Sequence, residues 1–371
     1  MSLLCETTWW QKAGRVLART SSLVSVITPV YNGGAFLQEC IQSVVNQTYG
    51  NFEYIIVDNM STDETFTIAE KAAASDSRIK AVRCDKHVGI IENWNRSLQP
   101  ISDDSDYIKF VHADDWLFAE CLARMVKLAD ANDRIGLVSA YRLEEDSVSL
   151  DHLPAEAPFV PGADTFVMDG RQVARAILQE KASVLGSPTS ILIRSRLVTH
   201  GQSFFTDEFL HADKEACLRL LPDCDFGFVK QVLTYTRRHN ESVTSLTNSL
   251  DTRRQENLML LQKYGPALLS DAEFTRTEAR EFIDYYNFLA RRAGTGSGKA
   301  FWDSHRQVLE SAGKPFSRWR LARAIARRWA NPAQALKDFT RATSENSGRV
   351  DSKTVDFLSA SRKAPGKYDS A

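Results

Sequence analysis

The 371-residue sequence predicts an α/β fold: a mostly parallel sheet flanked by helices, followed by a helical C-terminal region. Three observations predict it. Strand-like and helix-like text alternate over the first 140 residues, a rhythm that parallel sheets with crossover helices require. The strand-like runs are apolar and β-branched and end in polar or acidic residues. From about Leu250 the text is helical.

The elements follow in order. Leu23–Val30 is a buried strand, and Phe36, Leu37, Cys40, Ile41, Val44 and Val45 repeat at helical spacing after it. Phe52–Asp58 is a second strand. Ser61 and Glu64 stand at capping-box spacing, which predicts a helix start there. Arg78–Cys84 is a third strand, residues 90–99 a short helix, 106–115 a fourth strand running into an acidic loop, and 117–132 another helix. Ile135–Tyr141 is a fifth strand. Residues 143–166 are polar, carry three prolines and read as a long loop. A helix near 172–181, a strand at 189–195, a helix from Asp213 and a closing strand region at 226–239 complete this part. Beyond it, the helical stretch at 256–265 stops at Gly265, that at 280–294 stops at Gly294, and the last 20 residues look loosely ordered. The expected domains are an N-terminal extension (1–22), a catalytic domain (23–248) and a helical region (249–371).

Composition narrows the class. Hydrophobic residues make up 43% and charged residues 25% of the chain, and 46 Lys+Arg face 47 Asp+Glu. A near-neutral chain is not a general nucleic-acid binder. Charge is nonetheless segregated: residues 301–371 carry 14 basic and 7 acidic groups, leaving 32 and 40 for the first 300. The six cysteines form no C-x-x-C pair and read as reduced core residues. No apolar run is long enough to span a bilayer, and the start of the chain is a poor signal peptide. The expected compartment is the cytoplasm, with peripheral contact at the inner face of the membrane left open.

In open α/β sheets ligands bind outside the carboxyl ends of the strands. Here those ends are Thr28-Pro29-Val30-Tyr31-Asn32-Gly33-Gly34, then Asp58-Asn59, then His112-Ala113-Asp114-Asp115. Each has a bland reading as turn, cap or loop chemistry. Together they form an oxygen-rich rim suited to a hard divalent cation, and a nucleotide diphosphate is the anion such a cation would serve.

The block from Val24 to Thr65, with the spacing from Tyr31 to Asp58 to Asp114, resembles the nucleotide-sugar-binding half of the family 2 glycosyltransferases. The resemblance runs from about Leu23 to about Ser245 and does not cover the C-terminal third. It implies a GT-A fold, a nucleotide-diphosphate sugar donor with UDP-sugars favoured, Mn2+ or Mg2+, and transfer with inversion to a saccharide or lipid-linked acceptor in cell-surface polysaccharide synthesis. It implies that Thr28, Pro29 and Tyr31 hold the base through backbone and aromatic ring, and that Asp58 hydrogen-bonds it. Asp114 and Asp115 match the acidic loop that holds ribose and metal, although His112 stands where the pattern usually has its first acid. His87, Gly89 and Asn95 match a secondary donor-binding segment. Asp213 aligns with the general base, with Ala212 in place of the usual preceding acid. Arg237, Arg238 and His239 match a segment that closes over the diphosphate, His239 as a further metal candidate. Gly186, Ser187 and Pro188 match the acceptor-side loop.

Two other classes stay open on sequence alone. A nucleotidyltransferase should show a basic residue in the glycine-rich loop after the first strand, and this loop has none. A non-catalytic binding or scaffold protein that keeps the fold is the second. Gly313–Arg341 carries eight basic residues and one acid. Phe316, Trp319, Ala322, Ile325 and Trp329 can share one apolar side of a helix there, with Leu321 at its edge. Such a helix suits an anionic membrane surface or packing against the acidic body. Oligomerisation is also open.

Overall fold

A computed structural model describes residues 21–144, 147–149, 153–158, 160–198, 203–209, 211–237, 252–294 and 297–330. The chain forms two compact units. The first comprises residues 1–173, 182–205 and 219–237, and the second 174–181, 206–218 and 238–371. The boundary at 248 expected from the sequence falls outside the described residues.

The first unit is built on one mixed sheet. Its strands are β1 (Val24–Val30), β2 (Phe52–Asp58), β3 (Ile79–Arg83), β4 (Tyr107–Phe110), β5 (Trp116–Leu117), β6 (Ile135–Glu144), β7 (Ser147–Ser149), β8 (Thr165–Asp169), β9 (Leu192–Arg194) and β10 (Asp225–Thr236). The order is β3-β2-β1-β4-β9-β6-β10-β5, with β7 on β6 and β8 on β10. β3, β2, β1 and β4 are parallel. β9 is antiparallel to both its neighbours, and β6 and β10 are again parallel. The segment read as a long loop thus contributes the end of β6 and the strands β7 and β8.

All seven residues of β1 and all seven of β2 are buried, as continuous apolar strands covered on both faces must be. Helices α1 (Gly34–Val45), α2 (Thr65–Ser75), α3 (Ile90–Ser97) and α4 (Cys121–Asp130) follow β1, β2, β3 and β5. Leu37, Cys40, Ile41 and Val44 of α1 enter the core with Leu122, Met125 and Val126 of α4. The predicted capping box at Ser61 is absent. α2 starts at Thr65, and Asp63 caps it by accepting from the Thr65 amide at 3.1 Å. Burial pushes the Cys40 thiol up to about 12, so this cysteine is a core residue as expected. The other described cysteines are free as well.

α5 (Gly170–Leu178) and α6 (Ala212–Leu220) run from one unit into the other. The second unit continues with α7 (Thr252–Leu268), α8 (Asp271–Arg292), α9 (Lys299–Ser311) and α10 (Arg318–Trp329). Its core gathers Leu258, Phe282, Tyr285, Phe288, Leu289, Phe301 and Leu309. α7 does not stop at Gly265 as the sequence suggested. A Cβ there would lie 2.6 Å from the Phe274 ring, so glycine serves close helix approach, and the helix carries Pro266 in its last turn. α8 starts at a capping box formed by Ser270 and Glu273, and Arg175 donates to Glu273 at 2.6 Å. Among the described residues no helix is long and apolar enough to cross a membrane.

Candidate functional site

The site is built where β2, β1 and β4 end side by side. β1 lies between the other two, so its last turn falls between the Asp58 end and the acidic end. Pro29 is tolerated in this central strand for a geometric reason. Val30 and Ile27 carbonyls accept from Asn59 on the β2 side and from Val111 on the β4 side. Alternation therefore turns the Pro29 nitrogen toward β4, whose pairing with β1 ends at Ile27.

Beyond Val30 the chain bends sharply. Asn32 adopts φ 49° and Met60, across from it, φ 62°. Non-glycine residues seldom hold this region, and here the loops fix it. The Asn32 amide donates to Ser61 Oγ at 2.8 Å, and Asn32 Oδ1 accepts from the Thr62 amide at 2.8 Å. Gly33 and Gly34 at the start of α1 donate to Thr65 Oγ1 at 2.9 Å and Asp63 Oδ2 at 3.1 Å. Burial opposes it, yet the Thr65 hydroxyl and amide and the Gly34 amide hold the Asp63 carboxyl below its usual range. The N-terminus of α1 thus already holds an acid, so the glycine pair is no phosphate cradle. That is not the open glycine-rich loop expected of a nucleotidyltransferase.

Asp58 is fully buried. It accepts from the Ser61 amide at 3.2 Å and pairs with Arg83 at 3.4 Å, so its carboxylate closes the loop after β2. Asn59, which sequence reasoning passed over, exchanges two hydrogen bonds with Val88, at 2.8 and 2.9 Å. This clamp presents His87, whose Nδ1 lies 3.1 Å from the Asn59 carbonyl and whose ring lies 4.4 Å from that of Tyr31. Tyr31 is 48% exposed. Tyr31 and His87 therefore form an open aromatic shelf above a buried acid.

The acidic segment is a turn, with the Asp115 amide donating to the His112 carbonyl at 3.0 Å. It lies against the β1 loop: a Cβ on Gly33 would come within 3.3 Å of Ala113 Cβ. Asp114 is half-buried and Asp115 only 3% exposed. Asp115 Oδ2 accepts from Thr189 Oγ1 at 2.6 Å, and Oδ1 from the Arg237 amide at 3.0 Å. Desolvation, reinforced by the neighbouring Asp114 charge, pushes the Asp115 carboxyl up to about 8. Thr189 also accepts from the His112 amide at 3.1 Å, so one buried hydroxyl ties both ends of the turn. Sequence reasoning stopped one residue short of it, at Gly186, Ser187 and Pro188. Those three form the bend that delivers Thr189. Gly186 adopts φ 69° with Ser190 within 2.7 Å of its missing Cβ, and Ser187 Oγ bonds Thr236 Oγ1 at 3.2 Å.

The side chains of three predicted site residues are held by the protein itself. The Thr28 side chain lies in the core, bonded to the Tyr54 hydroxyl at 2.9 Å, and is not at the rim. Asn95 is wholly engaged with the Phe205 backbone, donating to its carbonyl and accepting from its amide at 2.8 Å each. Arg237 is clamped: it donates to Glu39 at 2.7 Å and to the Asp114 carbonyl at 3.2 Å, and lies over the Phe36 and Trp116 rings. It steadies the acidic turn. Arg238 and His239 lie outside the described residues.

The donor chemistry fits a hard divalent cation. Two adjacent carboxylates, one raised by burial and mutual repulsion, are what a cation would relieve. Among the described residues no group of three or more metal-ligating side chains exists. Asp114 and Asp115 are the described residues that would hold the cation, and His239, the further candidate, lies outside the described residues.

In the second unit, Asp213 stands in the first turn of α6 and is half-buried. His211 opens that helix, its carbonyl accepting from the Lys214 amide at 3.1 Å. Its Nε2 lies 3.4 Å from Thr252 Oγ1 and 3.9 Å from Glu256 of α7. Glu215 is buried and holds Tyr264, with Lys263 at 3.3 Å. The helix start that carries Asp213 is thus gripped by α7.

Comparison with known proteins follows from this frame. Residues 25–198 match the family described as glycosyl transferase family 2. The glycosyltransferase GlyG of Streptococcus pneumoniae serotype 4 is 33% identical over 119 residues, 31% of this chain and 39% of that protein. The fold is similar to that of S. aureus TarS 1–349 in complex with UDP-GlcNAc, with TM-score 0.56, 18% identity and coverage of 78% of this chain and 80% of that one. It is also similar to the mannosyltransferase PcManGT from Pyrobaculum calidifontis in complex with GDP-Man and Mn2+, with TM-score 0.52, 16% identity and coverage of 96% and 92%. At these identities the structural likeness speaks for a shared GT-A fold.

Proposed function

We propose that this chain, whose residues 25–198 match glycosyl transferase family 2, moves a sugar from a nucleotide-diphosphate donor to a saccharide or lipid-linked saccharide acceptor in the making of a cell-surface polysaccharide. The observation that carries the reading is the convergence at the ends of β1, β2 and β4: an aromatic shelf, a buried acid and an acidic turn. Tyr31 and His87 would stack on the base, with Asp58 below them fixing the loop. A UDP-sugar is the favoured donor, matching the ligand named for TarS. Asp114, backed by Asp115, would hold Mn2+ or Mg2+, and the mannosyltransferase neighbour was solved with Mn2+. Such a cation would neutralise charge on the departing diphosphate.

Asp213 is the proposed general base. A sugar hydroxyl is a weak nucleophile, and a carboxylate in hydrogen-bond reach accepts its proton as attack proceeds. One base and direct displacement give inversion. Thr189 and Arg237 act on the turn that carries Asp114, and Ser187 and Pro188 would border the acceptor side. A lipid-linked acceptor would bring the enzyme to a membrane surface from the cytoplasmic side, and segment 313–341 is the part of the chain suited to meet it.

The test is calorimetry with UDP-, GDP- and dTDP-sugars, with and without Mn2+. One donor should bind in a Mn2+-dependent way, and Asp114→Ala should abolish that dependence while the circular dichroism spectrum is kept. Equal affinity of parent and variant in Mn2+ would sink the assignment.

A further inference from the structure

α10 has two apolar stripes, and among the described residues only one of them is packed. Leu321, Ala324 and Ile325 turn inward: Ala324 is buried, and Leu321 and Ile325 pack on the α8 and α9 core together with Phe316. The opposite side carries Trp319, Ala322, Ala326 and Trp329, spaced three, four and three residues apart. That spacing keeps them on one face. Trp319 is 68% and Trp329 79% exposed, more than any other described large hydrophobic residue. The single apolar side expected from Phe316, Trp319, Ala322, Ile325 and Trp329 is therefore divided: Phe316 and Ile325 pack on the core, and both tryptophans are exposed.

The same helix carries five arginines and no acid. Arg318, Arg320, Arg323 and Arg327 are exposed, Arg323 lies 5.4 Å from the Trp319 ring, and Arg328 reaches back to the Ala290 carbonyl at 3.4 Å. Ser317 caps the helix, accepting from the Arg320 amide at 3.3 Å, and its amide is bound by Tyr286 Oη at 2.8 Å. The helix is thus held firmly by one face while the other stays open.

We propose that the Trp319–Trp329 face of α10 docks on a lipid surface bearing anionic headgroups. The two indoles lie about 15 Å apart along the axis, with only alanine methyls between them. A ridge this narrow cannot form a protein core, but it suits the boundary between headgroups and acyl chains, where tryptophan rings settle. The arginines beside it would meet the headgroup phosphates. A second copy of the helix is disfavoured as occupant, because each helix carries four exposed arginines and no acid. This docking deepens the membrane contact proposed above for segment 313–341 and rests on that reading, but vesicle binding is measured without donor or acceptor, so its failure leaves donor binding untouched.

The test uses the full chain in co-sedimentation with vesicles of phosphatidylcholine alone and mixed with phosphatidylglycerol, at low and high salt. Binding to the anionic vesicles is expected, weakening as salt screens the arginines. Arg323→Ala with Arg327→Ala should weaken low-salt binding by about 25-fold, at about fivefold for each arginine. Trp319→Ala with Trp329→Ala should remove the binding that persists at high salt. All four side chains are exposed, so thermal melts of the variants should match the parent. No binding to anionic vesicles at low salt overturns the proposal. So does loss with the arginine pair but parental binding, at both salt levels, with the tryptophan pair, because that result marks a surface for a soluble polyanion. Parental binding by both variants places any membrane contact elsewhere on the chain.

Discussion

Replacing Thr189 by Val tests whether the acidic turn is held by one hydroxyl. The substitution keeps the branched shape and removes only the oxygen. That oxygen is fully buried and makes two bonds, donating to Asp115 Oδ2 at 2.6 Å and accepting from the His112 amide at 3.1 Å. Losing a buried hydrogen bond to a carboxyl group costs about 1–3 kcal/mol, and stranding the His112 amide adds about 1 kcal/mol or more. The expected destabilisation is therefore about 2–4 kcal/mol by urea unfolding. Thr189→Ser keeps the oxygen and should cost about 1 kcal/mol. The functional effect should exceed what unfolding explains. With Asp115 untethered at Oδ2, Asp114 beside it loses its fixed position, and loss of a supporting contact of this kind typically costs about 10–100-fold in metal affinity. Mn2+ titration of the folded variant, well below its unfolding midpoint, measures this directly. If Thr189→Val unfolds within about 0.5 kcal/mol of the parent and binds Mn2+ with parental affinity, the turn is held by something else and the reasoning fails.

Two further predictions concern the second unit. Asp213→Asn keeps size and hydrogen bonding but removes basicity, so kcat should fall by about 10²–10⁴-fold with donor affinity kept; near-parental turnover in a donor-consumption assay would exclude the role. Glu256 is 5% exposed, and burial, with Asp213 adding and Lys214 and Arg253 opposing, lifts its carboxyl to about 8. The folded state therefore holds this proton more tightly than the unfolded chain, so its stabilising effect is full below about pH 4.5 and is lost as pH rises to about 8. Glu256→Gln should flatten this loss and gain on the order of 3 kcal/mol over the parent at pH 9, relative to pH 5. Denaturation curves at pH 5, 7 and 9 measure it, and parallel pH profiles would show that Glu256 does not titrate as inferred.

Much of the fold was legible because its signals are local. The alternation of apolar strand and amphipathic helix places β1 to β4, α1, α3 and α4, and each strand end delivers a polar cluster to one rim. Non-local effects defeated the rest. Gly265 reads as a helix stop until Phe274 is seen against it. Ser61 and Glu64 have capping-box spacing, but Ser61 Oγ is taken by the Asn32 amide across the loop. Thr189 carries no motif: its role exists only because β9 enters the sheet beside β4. In α10 the sequence offers two apolar stripes, and nothing local says which meets α8. The packed one holds the aliphatic side chains Leu321 and Ile325, which interdigitate with neighbouring helices, while the bulkier indoles lie at the helix ends and outer face.

The same contrast explains why polar residues at strand ends are easily over-read as ligand contacts. Thr28, Asp58, Asn95, Asp115 and Arg237 were all candidates for touching the donor, and in each the side chain is occupied by the protein itself. A rim made of loops must have its backbone groups satisfied and its turns fixed before it can bind anything, and the cheapest donors and acceptors are side chains from the adjoining loops. Residues of the same chemical type therefore serve as struts beside the few that face the ligand. Burial separates the two classes where sequence cannot. Tyr31 and His87 are exposed and Asp114 half-buried beside these struts, and burial with the Asp114 charge raises the Asp115 carboxyl although the Arg237 guanidinium opposes the shift. Arg237 offsets only part of the repulsion between the two adjacent carboxyls, and a cation arriving with an anionic donor would relieve the rest. That reciprocity makes metal and nucleotide mutually dependent: each should bind more tightly in the presence of the other.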